Sequence, residues 1–165
     1  MDKSEYKEYH QQYMDLVKGQ NALDELEKSY TVWEDFMMDL DDSEGDHAYE
    51  EGKWTVKEVL QHIVDCERVF QYRALAIARG DKTELPGFNH NDYVVDSRCQ
   101  FKTLEQIDTE FVATRNASLA LFKSFDGDQL ERIGNCGYPM SVRALGNLMG
   151  GHLRHHINVL EAKYV

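Results

Sequence analysis

Four stretches of this 165-residue chain repeat apolar residues at helical spacing, and each opens on its own start signal. A helix with one apolar stripe has to bury that stripe against another element, so four such helices have few ways to pack. The first stretch runs from about Asn21 to Leu40, with Ala22, Leu26, Trp33, Phe36, Met37 and Leu40 on one side. Asn21 can cap it, and Asp24 falls in its first turn. The second opens on Thr55-Val56-Lys57-Glu58, a capping box, and should run to Arg79 before Gly80 closes it in the left-handed conformation. A second box, Thr103-Leu104-Glu105-Gln106, opens the third, which ends near Phe125. The fourth starts at Ser141, just after Pro139, and continues to about Tyr164. At 1.5 Å per residue the last three are about 35 Å long each. The expected fold is all-α, a four-helix bundle in a single domain over residues 1–165, with no convincing strand. Residues 1–20 are expected to add a short helix on the outside. The connection from 80 to 102 is long enough to carry the chain back along the bundle, so that the second and third helices run the same way. Its length also fits a functional lid.

Composition narrows the partners. A net charge of −12 and a pI near 4.9 repel phosphate backbones and anionic headgroups, which argues against nucleic acid and membrane surfaces and leaves a small molecule. No apolar run approaches the roughly 20 residues that span a bilayer. The polar start, MDKSEYKEYHQQYMDL, has no apolar signal core, so a cytoplasmic location is expected. Cys66, Cys99 and Cys136 are odd in number and widely spaced, as in a protein whose thiols stay reduced.

Three histidines crowd the fourth helix in GGHLRHHINVL. With Val142 at 0° on a wheel of about 100° per residue, Leu145, Met149, Leu153 and Leu160 fall between about 300° and 20°. His152 at about 280° and His156 at about 320° share that stripe, whereas His155 at about 220° lies off its edge. The HxxxH spacing stacks the inward pair one above the other. Buried imidazoles need partners, since one unmade hydrogen bond costs roughly 1–3 kcal/mol. The second helix offers His62 at the margin of its own stripe, about 10 Å from the helix start by rise per residue. The inward pair is about 15 Å from the end of its helix, so antiparallel neighbours would bring all three rings to one level. Three neutral imidazoles form a facial site for zinc or nickel with open positions, which suits a reactive centre rather than a closed structural one. Core histidines hydrogen-bonded without any metal are the alternative.

The stretches GKWTVKEVLQHIVDCERVFQYRALAIARGD, LPGF, EFVATRNASLALF and SVRALGNLMGGHLRHHINVL together resemble the DinB/YfiT-like superfamily of bacterial four-helix-bundle proteins. That resemblance implies an up-down-down-up bundle, a divalent metal (zinc or nickel) on His62, His152 and His156, and a homodimer. It also implies chemistry of the kind its characterised members perform, the transfer of low-molecular-weight thiols such as bacillithiol to electrophiles. Metal-assisted hydrolysis is the next expectation, and a non-catalytic metal-stapled module that binds a small molecule or serves in stress is the alternative.

Two charges lie on the stripes themselves. Arg115 stands between Phe111 and Phe122 in the third helix, and Glu67 lies at the core edge of the second. A buried charge requires a counterpart, so Arg115 is expected to pair with a carboxylate of the second helix, Glu67 before Asp65. In a functional variant of this reading, Arg115 or Arg73 faces the cavity and binds an anionic group of the substrate. Cys66, four residues after His62, reads as a small apolar filler rather than a ligand. His10, His47 and His90 sit in polar or loop surroundings and are expected at the surface, as is the acidic run of residues 39–46.

Overall fold

The computed structural model describes residues 2–17 and 21–165. Its four long helices are α2 (Ala22–Asp39), α3 (Val56–Ala78), α5 (Leu104–Lys123) and α7 (Val142–Lys163). Each begins where a side chain supplies the missing backbone acceptor. Asn21 accepts from the Asp24 amide and Ser141 from the Ala144 amide, while Thr55–Glu58 and Thr103–Gln106 form complete capping boxes. Past the end of α3, Gly80 has φ +82, a conformation that costs other residues a Cβ clash.

The apolar stripes meet around α7, which packs against both α2 and α3, while α5 closes the bundle on their other side. Between α3 and α5, Gln61 faces Lys102, Glu67 faces Arg115 and Gln71 faces Ser118, so these two helices run the same way. Between α3 and α7 the order is reversed. Tyr164 reaches the Trp54 carbonyl and His152 reaches His62.

The buried side chains form two apolar clusters. One surrounds Trp33, Leu60, Ile63, Phe111 and Leu153, and the other surrounds Leu26, Phe70, Phe122, Leu145 and Met149. Between them lies a polar layer from three helices. Arg115, fully buried, donates to both Glu67 oxygens at 2.8 and 2.7 Å and to the Leu26 carbonyl and Ser29 Oγ, both at 2.8 Å. Ser118 donates to the same carboxylate at 2.8 Å. Each nitrogen of the guanidinium and each oxygen of the carboxylate has a partner, which is what keeps a buried ion pair tolerable.

The connections hold more structure than periodicity predicts. The long crossover is not a bare loop: Asn89 caps α4 (His90–Ser97), too short for a clear hydrophobic period. A further helix, α6 (Gly127–Glu131), follows α5. Two three-residue strands, β1 (Ile133–Asn135) and β2 (Pro139–Ser141), pair antiparallel just before α7, where no strand was expected. Three residues cannot establish an alternation, and the hairpin owes its place to tertiary contact. A side chain at Gly134 would run into Ile77 of α3 at 2.4 Å.

Nor is the N-terminal region a mere outer decoration. The helix α1 (Gln11–Leu16) lies against α7 with Tyr13 and Met14 buried. A Cβ at Gly151 would stand 2.2 Å from the Tyr13 carbonyl oxygen, so only glycine lets the two backbones come this close. Glu5, bonded to Ser141 and Arg143, ties the start of the chain to the start of α7. No helix is long and apolar enough to cross a membrane among the described residues.

Candidate metal centre

His62 stands in the second turn of α3, and His152 and His156 lie one turn apart on α7. Because the two helices run antiparallel, the three rings meet. His152 Nε2 is 3.1 Å from His62 Nε2 and 3.1 Å from His156 Nε2, and one nitrogen from each ring falls within 4.8 Å of the others. His62 and His152 are buried and His156 is half-buried. Among the described residues this is the one cluster of histidine, cysteine or acidic side chains able to hold an ion.

The donor chemistry fits a divalent metal. Burial holds His62 down to about 4 and His156 to about 3, each further opposed by neighbouring histidines, and it keeps His152 well below the ordinary value. All three are therefore neutral at pH 7 and offer lone pairs. Only one proton can lie between any two facing nitrogens, and a cation is the partner that satisfies all three together. Tetrahedral ligands at about 2.0–2.1 Å from one ion stand about 3.3–3.4 Å apart, close to the two spacings of 3.1 Å that His152 Nε2 makes.

Other sequence candidates sort themselves by position. Cys66 Sγ lies 3.6 Å from both ring nitrogens of His62, but burial pushes its thiol up, so it remains a protonated, space-filling neighbour. Glu67 and Arg115 belong to the polar layer and do not line the cavity over the histidines. Arg73 does line it. That cavity has a volume of about 290 Å³ and rings of Tyr13, Trp54, Phe70 and Phe88 in its walls. Tyr13 meets His152 edge-on at 5.4 Å between ring centres and Trp54 lies 4.9 Å from His62, which fixes the ring planes.

Two further histidines border the cavity. His90, at the start of α4, stays exposed yet stands over the cavity mouth, its ring 5.7 Å from that of His62. His10 was expected at the surface, but it is buried against Tyr138 and Tyr13 and faces the cavity. Its surroundings in sequence, EYHQQY, are polar, and no local pattern could reveal that α1 lies on α7.

These shifts set a pH dependence. His10 and His62 are both depressed to about 4, below the 6.5 of an exposed histidine, so below pH 6.5 the unfolded chain binds more protons than the folded one. Stability of the metal-free protein is therefore expected to be level above pH 6.5 and to fall as pH drops from 6.5 towards 4. The slope is at most about 1.4 kcal/mol per pH unit for each histidine. Urea denaturation between pH 7.5 and 4.5 reads this, and a flat profile would contradict it.

Helices packed around a buried three-histidine cluster with an adjoining cavity define a helical-bundle protein whose facing imidazoles could hold a metal ion. The DinB superfamily profile matches residues 25–160, and the chain belongs to that superfamily. Among solved structures it is similar to YfiT from Bacillus subtilis, described as a probable metal-dependent hydrolase with an unusual four-helix bundle topology. The TM-score is 0.66 at 17% identity, over 98% of this chain and 89% of that one. No functionally curated protein matches the sequence significantly.

Proposed function

We propose that the protein is a metal-dependent enzyme that joins a low-molecular-weight thiol, of the bacillithiol type, to a small electrophile in the cavity beside His62, His152 and His156. The observation that carries this reading is the convergence of three neutral Nε2 atoms on the wall of a cavity of about 290 Å³. Zinc or nickel bound there supplies a Lewis acid, which makes a thiol or water acidic enough to lose its proton near pH 7. His62, His152 and His156 would hold the ion, and the cavity beside them would admit the donor. Trp54, Phe70 and Phe88 exclude water and hold the apolar body of the substrate. The thiol sulfur bonds to the electrophilic carbon, the leaving group departs with its electron pair, and the thiol proton passes to solvent.

Hydrolysis is the second reading. The description of YfiT as a probable metal-dependent hydrolase favours it, with water as the nucleophile at the same three residues. A homodimer belongs to the proposal on the family resemblance, and a cytoplasmic location on the three cysteines, which are free as in a reducing compartment.

The test is a panel of cellular thiols with a chromogenic electrophile, run on zinc- and nickel-loaded protein. A thiol-dependent rate at least 100-fold above background, absent in His156→Ala, is expected. Acceleration that needs no thiol would move the assignment to hydrolysis. Background rates throughout, with metal bound, would leave a non-catalytic binding module.

A further inference from the structure

The far part of the cavity carries a cation with no counter-charge among the described residues. Arg73 is 4% exposed, and its Nη2 donates to the Pro86 carbonyl at 2.7 Å. Its guanidinium also lies over the Phe88 ring at 5.9 Å. No carboxylate of the described residues is within ion-pair distance of it, although acidic residues outnumber basic ones by 30 to 18 in this chain. The contrast with Arg115 is sharp, since that guanidinium donates to the Glu67 carboxylate and to two further acceptors, the Leu26 carbonyl and Ser29 Oγ. A buried charge without a counterpart is expensive, and proteins keep one where a ligand completes it.

A second group points the same way. His10 is 7% exposed, and its Nδ1 is buried without a hydrogen-bond partner. The His10 ring lies tilted against the Tyr138 ring, 5.3 Å between centres, and His10, Tyr138 and Arg73 all line the cavity. An imidazole N–H and a guanidinium both donate, so the chemistry they share is recognition of an oxyanion. Arg73 follows His62 by 11 residues, which returns it to the same face of α3 about 16 Å further along. The two side chains therefore line opposite reaches of one cavity.

We propose that Arg73, His10 and Tyr138 form a subsite for a carboxylate or phosphate group at the far end of a substrate whose reacting group lies at the three histidines. The substrate class is then an elongated small molecule with an apolar middle and one acidic terminus. This rests on the reading of the histidine cluster as the reactive end, but the subsite can be examined without it.

Calorimetric titration of the full-length protein with 4-phenylbutyrate, phenyl phosphate and the neutral 4-phenylbutyramide tests the proposal, in wild type and in a His156→Ala background. At least one of the two anions should bind 10-fold or more tightly than the amide, and the preference should survive His156→Ala. Arg73→Met should abolish the preference, Arg73→Lys should keep part of it, and His10→Phe should weaken anion binding three- to ten-fold. If Arg73→Met does not fold, the Arg73→Lys and His10→Phe titrations decide. Equal affinities for anions and amide, or a preference unchanged in Arg73→Met or His10→Phe, would overturn the subsite. A preference lost in His156→Ala but kept in Arg73→Met would place the anion on a metal and overturn it too. None of these readings requires turnover, so a failed thiol or hydrolysis assay leaves them intact.

Discussion

Replacing His156 with alanine is expected to cut bound zinc or nickel from about one ion per chain to near zero. In wild type three neutral nitrogens converge, with His152 Nε2 3.1 Å from each of its neighbours. Removing one leaves a two-ligand site in a cavity wall, and loss of even an outer-shell partner of a metal ligand typically costs 10- to 100-fold in affinity. Loss of a direct ligand should exceed that, by 100-fold or more. Protein reconstituted with each metal, dialysed and measured by elemental analysis reads the effect, with circular dichroism confirming the helices. His156 is half-buried and borders the cavity, so its truncation opens existing space rather than a new void in the core. Equal metal in both proteins, or none in either after reconstitution, would sink the assignment. The rings would then be a metal-free trio in which His152 Nε2 shares one proton with one neighbour at a time, and the bundle would lose its proposed chemistry.

The second large effect is on stability. Arg115→Met should destabilise the fold by about 3–5 kcal/mol, because it strands the Glu67 carboxylate in an interior that excludes water. In the native chain that carboxylate is held by two guanidinium bonds and one from Ser118. The guanidinium also lies 4.9 Å from the Phe111 ring and bonds α2 through the Leu26 carbonyl and Ser29. One side chain thus sets the axial register of three helices. The double variant Arg115→Met with Glu67→Leu should recover most of the loss, since it leaves no uncompensated charge. Metal content should stay unchanged in both, because neither residue lines the cavity. Urea denaturation decides, and an Arg115→Met protein within about 0.5 kcal/mol of wild type would refute the role given to the polar layer.

How much of this is readable from the chain depends on the range of the interactions. The capping boxes at Thr55 and Thr103 operate within four residues, and both open helices where they stand. The phase of His152 and His156 on the stripe of α7 is equally local, and so is the place of Arg115 between two phenylalanines. The pairing of Arg115 with Glu67 follows from the cost of a buried charge. The stretch EYHQQY around His10 carries no such local mark. The strands β1 and β2 are too short to show a period, and α4 has one buried residue, Val94, to mark its inner face. Arg73 looked like one of two cavity cations, and only the packing separates it from Arg115.

Four amphipathic helices, their starting points and the inward phase of the two α7 histidines are determined by the sequence alone, because hydrogen bonding and hydrophobic periodicity work within a few turns. Tertiary structure alone decided that α1 lies across Gly151, that His10 and Arg73 border the same cavity as His62, and that no carboxylate of the described residues pairs with Arg73. Contacts between residues distant in sequence are set by how helix surfaces dock, and no short stretch of chain encodes them by itself.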